Sequence, residues 1–409
     1  MNRLAANAAL VIAAGLIYIA LSAFWGHTSL NEGLGQEGPV YAAMITVHDV
    51  QGGTVTNRVW PAFPLAAAVP YTVTRDVVTS FEVVDFAGLL VLALAACLLL
   101  DAHLAPLPIK ACAVLTLAVA GLPTAITAFA PAQPYLLGVA MTTLAIAACE
   151  TPSTAFVRWG QAGRWIVTAA AHAAATLAAP MGIMAPLYGL AKSWRGHESS
   201  RDTSAVLPGL LVWLLVQTWA RGGPAGLLDL LRFSRVRSDA VLWTESAFIL
   251  FAVYFIVTTL GGLTILLWSR PRWIQDALRQ RPELWALVVP ALVFIGTAGL
   301  EAPPMIAFLI PFWLIVVGMW ARTQTTSLLA SSVLAGVVTV LTQHPYARMT
   351  DMSYFVDWFP YSVHAARVNA VTMSDAALTG IWRVRVLIAV AGLVAFAAWW
   401  RRPVSWQRW

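Results

Sequence analysis

Apolar runs long enough to cross a lipid bilayer recur from one end of this 409-residue sequence to the other. A transmembrane helix needs about 20 predominantly apolar residues, because the hydrocarbon core of a bilayer is roughly 30 Å thick. Charged residues make up only 11% of the chain, whereas soluble globular proteins carry about 25%. The sequence therefore predicts an all-α polytopic membrane protein, with one transmembrane domain over residues 1–409 and about 11–12 passes.

The spans can be placed approximately from the apolar runs. The first run is too long for the apolar region of a signal peptide, and more spans follow it, so we interpret it as an anchor that stays in the protein. Pro180 interrupts another run and divides it into two half-spans. The predicted spans are 8–25, 83–100, 111–130, 135–148, 165–179, 181–190, 206–219, 247–268, 284–300, 305–320, 327–341 and 385–400.

The distribution of arginine and lysine predicts the orientation, because basic loops stay on the cytoplasmic side. The loop 269–283 carries four arginines, and the tail 401–409 carries three more. We therefore expect an inner-membrane protein with both termini in the cytoplasm. The outer loops on this topology are 27–80, 222–244 and 344–383.

The segment 165–190 adds a constraint on this topology. The loops before and after it, 150–164 and 191–204, are both basic and so belong on the same side. A segment of this length is too short for two complete spans, and Pro180 breaks it in the middle. The sequence thus predicts two short half-spans that form a V.

The first outer loop offers the strongest candidate for chemistry. Glu37 stands in the Gly-rich turn 35–39, where small neighbours let a carboxylate approach a ligand closely. Arg58 follows, just before an apolar segment that contains prolines. This order suits an anionic lipid head group, because Glu37 would be a base, Arg58 a counter-ion for a phosphate, and the segment after it an apolar slot. Glu32 and Asp49 on the same loop are competing candidates for the base.

Several short motifs resemble those of bacterial GT-C type membrane glycosyltransferases. That family has an acidic residue, a glycine and a tyrosine soon after the first span, and the segment 36–41 (Gln-Glu-Gly-Pro-Val-Tyr) is similar. An Arg–Pro segment before the second span looks like 57–65. Weaker similarities occur in the same order at 133–137, 176–184 and 299–311. The resemblance covers most of the chain in topology and implies a GT-C-like bundle that contains a broken span.

The resemblance also implies an activity. A sugar would pass, with inversion, from a polyprenyl-phosphate donor to an acceptor hydroxyl on the extracytoplasmic face, with Glu37 as general base. The acceptor would be a glycan, a lipid or a protein. A positioned carboxylate typically contributes ~10²–10⁴-fold to such a step. The phosphate leaving group needs cationic partners, and the candidates are Arg58, Arg221, Arg232, Arg235 and Arg237.

Other residues could complete this site. Asp85, near the outer end of the second span, is a possible second acid or else an interfacial helix cap. Aromatic and acidic residues of the outer loops could contact the acceptor, although a loop lying on the bilayer surface would have the same composition. These acceptor candidates are Tyr41, Tyr354, Asp357 and Trp358.

Two departures from the family pattern weaken the assignment of the site. Relatives usually carry Asp at the position of Glu37, and many carry Arg near the position of Pro304. The cysteine and histidine spacing predicts no metal site and no certain cofactor, although the reaction could use a divalent cation. The net charge of +6 is explained by topology and implies no nucleic-acid partner.

Two other functions stay open at this point. A transporter or flippase of lipid-linked sugars would also contain a broken helix in mid-chain, but the two halves show no convincing inverted repeat. A non-catalytic GT-C relative that binds lipid is the other alternative. Buried positions are expected for the three cysteines, and a hydrogen bond to a neighbouring helix for His172.

Overall fold

The computed structural model of the chain describes residues 3–25, 34, 38–47, 58–119, 134–151, 160–197, 203–225, 271–297 and 305–320. These residues form 12 α-helices and, within those ranges, no strand. The helices are α1 Arg3–Trp25, α2 Gly38–Thr46, α3 Ala62–Thr74, α4 Val77–Ala102, α5 Leu107–Val119, α6 Tyr135–Glu150, α7 Gly160–Ala178, α8 Met184–Lys192, α9 Leu207–Ala220, α10 Pro271–Gln280, α11 Trp285–Thr297 and α12 Ile310–Trp320. Short 3₁₀ turns at Pro180–Ile183, Pro282–Leu284 and Ile306–Leu309 join or precede some of them.

Helix α4 is the centre of the bundle, and α1, α3, α5, α6 and α12 pack against it. Its N-terminus is capped by Asp76, whose carboxylate accepts hydrogen bonds from the Val78 and Thr79 N–H groups at 3.1 and 3.4 Å. The Thr79 hydroxyl also donates to Asp76 and lowers the pKa of this carboxyl, against the opposing effect of burial. This cap fixes the start of the helix six residues before the start that the apolar run predicts.

Small residues let α6 and α1 approach α4 closely. Gly88 lies against Leu136 and Leu137, at the start of α6, while the far ends of the two helices meet where His103 Nε2 lies 3.2 Å from Glu150 Oε2. The two helices are therefore antiparallel. A Cβ atom at Gly15 of α1 would lie 3.0 Å from Leu90, and a side chain there would push α1 away from α4.

A buried polar triad joins α1, α4 and α5. Lys110 Nζ donates to Asp101 at 2.7 Å and to the Asn7 amide oxygen at 2.9 Å, and Asn7 Nδ2 donates to Asp101 at 2.6 Å. The single buried lysine is thus matched by one carboxylate, which is what makes its burial tolerable. The triad places the start of α1 beside the end of α4.

The predicted V around Pro180 is present. Gly182, in the turn after α7, packs onto the Ala175 carbonyl, and Gly189 of α8 lies beside His172 of α7. At the end of α8, Lys192 Nζ donates to the Cys149 carbonyl at the end of α6. The chain therefore rises along α7, turns at Pro180 and returns along α8 to the level at which α6 ends. The arms are unequal, since α7 has 19 residues and α8 has nine.

Helices α9 and α12 complete the frame. Trp165 Nε1 donates to Ser204 and Trp213 Nε1 donates to the Pro180 carbonyl, both at 2.8 Å, so α9 runs parallel to α7. The start of α12 lies near Trp60, because Phe308 packs against that ring, and its end lies near α4, because Gly318 packs against His103.

The bundle thus has two distinct ends, which we name after the residues that characterise them. The Glu150 end contains the end of α4, the end of α6, the end of α8 and the start of α11. The Asp85 end contains the first half of α4, helices α2 and α3, the start of α6 and the turn at Pro180. Residues that flank the loops 150–164, 191–204 and 269–283 all meet at the Glu150 end, so the prediction that these three loops share one side is confirmed.

The structure corrects the predicted extent of the helices in two regions. The segment 27–80, predicted as an outer loop, contains the whole of α3 and the start of α4. Sequence reasoning missed α3 because its 13 residues are too few for a span and two prolines occur within it. The first arm of the V begins at Gly160 rather than at residue 165. Gly160 has a positive φ of 64°, which suits glycine at a helix start.

Two described helices are long and apolar enough to cross a membrane, Arg3–Ala20 and Val77–Ala102. Six shorter apolar helices of 10–17 residues accompany them. Cys97 and Cys149 are buried, as predicted, while Cys112 is half-buried.

Candidate functional site

Asp85 lies on the packed face of α4, eight residues after the start of the helix at Val77. Its side chain is completely buried, and neither carboxylate oxygen has a hydrogen-bond partner. The neighbouring positions on this face, Phe81, Val84 and Leu89, are buried and apolar. The interpretation of Asp85 as an interfacial cap is therefore wrong, since Asp76 caps the helix instead.

An aromatic stack covers the first turns of α4. The Phe63 ring of α3 stacks on Phe81 of α4 with centroids 5.0 Å apart, and Tyr41 of α2 meets Phe63 edge-on at 5.4 Å. All three side chains are fully buried. Such pairs contribute about 0.5–1.5 kcal/mol each beyond the burial of their area. The stack therefore holds α2 and α3 over the part of α4 that precedes Asp85.

Helix α2 begins immediately after Glu37, the predicted base. Gly38, the first residue of α2, is buried, and so is Tyr41 one turn later. Tyr41, predicted as an acceptor contact, is thus a packed residue of the aromatic stack. Glu37 itself lies outside the described residues, as do Arg232, Arg235, Arg237, Tyr354, Asp357 and Trp358.

Arg58 lies at the same end of the bundle as Asp85. Two residues later, Trp60 is 2% exposed and packs edge-on against Tyr135 at the start of α6, with centroids 5.2 Å apart. The Trp60 ring also faces Phe308. This packing holds the backbone that follows Arg58 against the starts of α6 and α12.

The turn of the V belongs to this end as well. A Cβ atom at Gly138 would lie 2.8 Å from the Cβ of Ala179 and 3.0 Å from Trp60. Ala178 shares one apolar cluster with Phe81, Val84 and Leu137. Because Pro180 has no N–H, the Thr176 carbonyl loses the donor that a continuous helix would supply. The break therefore lies at the same end of the bundle as Phe81 and Val84 of α4.

Arg221 completes the predicted residues of this end. It follows the last residue of α9, eight positions beyond Trp213, which is hydrogen-bonded to Pro180. At 1.5 Å per residue, Arg221 lies about 12 Å further along the axis of α9 than Trp213. The structure thus brings Tyr41, Arg58, Asp85 and Arg221 to the same end of the bundle.

At the opposite end, a cluster of charged residues that sequence reasoning missed surrounds Glu150. The Glu150 side chain is 6% exposed. Arg281 binds both of its oxygens, with N–O distances of 2.8 and 2.9 Å, and the Tyr188 hydroxyl donates to it at 2.7 Å. Lys192 Nζ lies 3.2 Å from the same carboxylate. Residues of α6, α8 and the segment before α11 are therefore joined through one carboxylate.

Glu283 extends this cluster. It accepts hydrogen bonds from Arg281 Nε and from Arg195, both at 2.7 Å. Burial alone would raise the pKa of Glu283, but these two guanidinium groups hold it below the ordinary value of 4.5. Burial opposes the charge of Arg281, yet Glu150 and Glu283 together raise its pKa. Each carboxylate of the cluster is therefore ionised and fully paired.

One sequence signal for this cluster was available. Glu150 is an acidic residue at the end of an apolar run, and it precedes a loop that belongs with the basic loop 269–283 on the predicted topology. A carboxylate at that depth requires a cation. The arginines of the loop 269–283, which lies on the same side of the predicted topology, are the candidates. The choice of Arg281 among the four arginines of that loop was not readable, because it depends on the turn Pro282–Leu284.

A buried cysteine–histidine pair joins the end of α6 to α7. Cys149 Sγ is 3.2 Å from His172 Nε2, which confirms that His172 contacts a neighbouring helix. Within the described part of the chain, no three His, Cys, Asp or Glu side chains are grouped so that they could hold a metal ion.

Comparison of the chain with protein-family models, with curated proteins and with solved structures finds no match.

Proposed function

We propose that this chain is a polytopic membrane glycosyltransferase that uses a polyprenyl-phosphate-linked sugar and works at the Asp85 end. The observation that carries the proposal is the arrangement of this end. Tyr41, Arg58, Asp85 and Arg221 come from four separate segments and gather at one end of the bundle. Glu37, immediately before α2, completes the proposed site from the resemblance to GT-C enzymes.

The surface of the bundle supports its place in a membrane. On α3, Leu65, Val69 and Val73 are 62–84% exposed along one face. Helix α9 presents a similar stripe that includes Leu207 and Leu211. Exposed apolar stripes on several helices are unfavourable in water and favourable in lipid. Together with the short apolar helices, they support a protein with many passes.

The distribution of charge supports the orientation. The Glu150 end is continuous with the basic loops, and we therefore assign it to the cytoplasm. The Asp85 end then faces the extracytoplasmic side of the inner membrane. Along α4, Asp85 and Asp101 are separated by about 24 Å at 1.5 Å per residue, a distance close to the thickness of the hydrocarbon core.

The proposed reaction assigns a role to each region. Glu37 removes the proton of the acceptor hydroxyl as its oxygen attacks the anomeric carbon, and the bond from that carbon to the phosphate oxygen breaks. The leaving group is the polyprenyl phosphate, and arginines such as Arg58 and Arg221 stabilise its charge. A divalent cation could share this task.

The test is transfer by membranes that contain the protein, supplied with radiolabelled polyprenyl-phosphate hexoses and pentoses. Glu37→Gln keeps the size of the side chain and removes the base, so we expect transfer to fall by ~10²–10⁴-fold. Glu32→Gln tests the competing base on the same loop, and we expect it to leave transfer unchanged. Full transfer activity of Glu37→Gln at equal expression would contradict the proposal.

A transporter of lipid-linked sugars is the second candidate. It is favoured by the break at Pro180 at the same end of the bundle as a buried carboxylate, because broken helices and buried carboxylates mark substrate or ion sites in transporters. Sealed vesicles separate the two functions. Movement of the labelled donor across the bilayer without a covalent product, unaffected by Glu37→Gln, would identify a transporter.

A further inference from the structure

Asp85 differs from the other buried charges of the described chain because it has no partner. Lys110, Glu150 and Glu283 are each paired within 3.2 Å. Asp85 is completely buried, and neither of its oxygens has a hydrogen bond. A buried carboxylate without a counter-charge is far less stable than the neutral acid.

No group of the described chain donates a hydrogen bond to the Asp85 carboxylate, and the arginines Arg58 and Arg221 lie at the same end of the bundle without binding it. On α4 itself, the half-buried Glu82 contributes a like charge. The other elements packed here contribute the phenols of Tyr18, Tyr41 and Tyr135, each packed against another aromatic ring. Arg75, at the end of α3, is exposed.

A metal ion is a poor occupant of this position. Hard cations require several oxygen ligands, whereas neither Asp85 oxygen has a polar partner and the nearby buried positions of its helix, Phe81, Val84 and Leu89, are apolar. The Ser80 hydroxyl, the nearest on this helix face, is already bonded to the Asp76 carbonyl at 2.5 Å and to Thr74. A proton requires no further ligand.

We propose that Asp85 is a buried proton-binding site, occupied at neutral pH, whose ionisation opens the junction between α4, α6 and the turn at Pro180. An ionised Asp85 would need water molecules or other donors around it. Water can reach the carboxylate only by separating α4 from its neighbours. On the side of the V, Ala178 belongs to the apolar cluster that contains Phe81 and Val84, and the helix is already broken two residues later, at Pro180.

This proposal goes beyond the proposed function and does not depend on catalysis. A proton bound at Asp85 would connect the opening of this end to pH, whether the occupant of the site is transferred or transported. A glycosyltransferase without such a site and a glycosyltransferase with one would give the same result with Glu37→Gln.

The first test is infrared difference spectroscopy of the purified protein in lipid nanodiscs. Wild type minus Asp85→Asn should show the carbonyl stretch of a protonated carboxyl at pH 7, and this band should give way to carboxylate bands at alkaline pH. Glu82→Gln, three residues earlier, is the matched control and should keep the band. Labelling the wild type with ¹³C-aspartate identifies the band even if the variant does not fold. Carboxylate bands at pH 7 would overturn the proposal.

The second test measures opening by hydrogen exchange with mass spectrometry, on peptides covering residues 77–90 and 175–190. After correction for the intrinsic effect of pH, the wild type should exchange several-fold faster once Asp85 ionises, while Asp85→Asn should stay constant. Equal exchange in the two proteins at every pH would show that the proton does not control this junction. Neither readout uses transfer activity, so failure here leaves the enzyme proposal intact.

Discussion

The two ends of the bundle solve the burial of charge in opposite ways. At the Glu150 end, two carboxylates receive hydrogen bonds from Arg195, Tyr188 and Arg281, with Lys192 also in contact. At the Asp85 end, one carboxylate is buried among apolar and aromatic side chains without a partner. Ionic contacts hold the first end together, whereas close packing of apolar and aromatic side chains holds the second.

This difference indicates where the molecule can change. Separating the helices at the Glu150 end would leave several buried charges unpaired, which is costly in a medium of low polarity. Separating them at the Asp85 end exposes apolar contacts and a group that gains solvation when it ionises. The helices therefore separate more easily at the Asp85 end, where the described candidates Tyr41, Arg58, Asp85 and Arg221 lie.

The largest effect should follow from breaking the Glu150 end. Arg281→Ala leaves Glu150 and Glu283 without their shared cation, and we expect a loss of about 3–5 kcal/mol in the free energy of unfolding. Thermal unfolding of the protein in detergent measures this as a lower Tm. Arg279→Ala is the matched control, because Arg279 is exposed on the same segment and should change stability by less than about 0.5 kcal/mol. Equal stability of the two variants would contradict the ionic account of this end.

A smaller effect should follow from disturbing the shape of the Asp85 end. A Cβ atom at Gly182 would lie 2.0 Å from the Ala175 carbonyl oxygen, so Gly182→Ala must displace the turn of the V from α7. We expect a loss of about 1–3 kcal/mol, as for other overpacked sites. Gly296→Ala meets nothing within 4 Å and serves as the control. If Gly182→Ala proved as stable as the wild type, close packing would not be what holds this end.

The all-helical fold and the order of the described helices were largely predictable from the sequence, because they depend on local properties. The predicted spans 247–268, 327–341 and 385–400 lie outside the described residues. The break at Pro180 follows from the chemistry of proline, and the common side of the flanking loops follows from their charge. Helix α3 was not readable in this way. Its prolines and its short length predict a loop, and only packing of Phe63 on Phe81 makes the helix favourable.

The site was less readable, because its features depend on contacts between distant segments. Asp85 was a candidate from its depth in an apolar run, but its lack of a partner becomes visible only when every neighbouring helix is in place. Arg281 was one of several equivalent arginines until the turn before α11 aimed it at Glu150, 131 residues away. Hydrophobic periodicity predicts which face of a helix is buried, but it does not predict which distant residues contact that face.

The smallest predicted effect is an acid dependence that belongs to the Glu150 end. Because Arg281 and Arg195 hold the pKa of Glu283 below 4.5 in the folded protein, its pairing contributes stability above that value. The contribution is lost as the pH falls through the lower, folded pKa. The free energy of unfolding of the wild type should therefore decrease as the pH falls below 4.5. In Glu283→Gln this decrease should be smaller. Asp276→Asn, on the neighbouring helix α10, should keep it. If Glu283→Gln declined with pH as steeply as the wild type, the ion pairs of Glu283 would not stabilise the folded state, and the contrast between the two ends would depend on Glu150 alone.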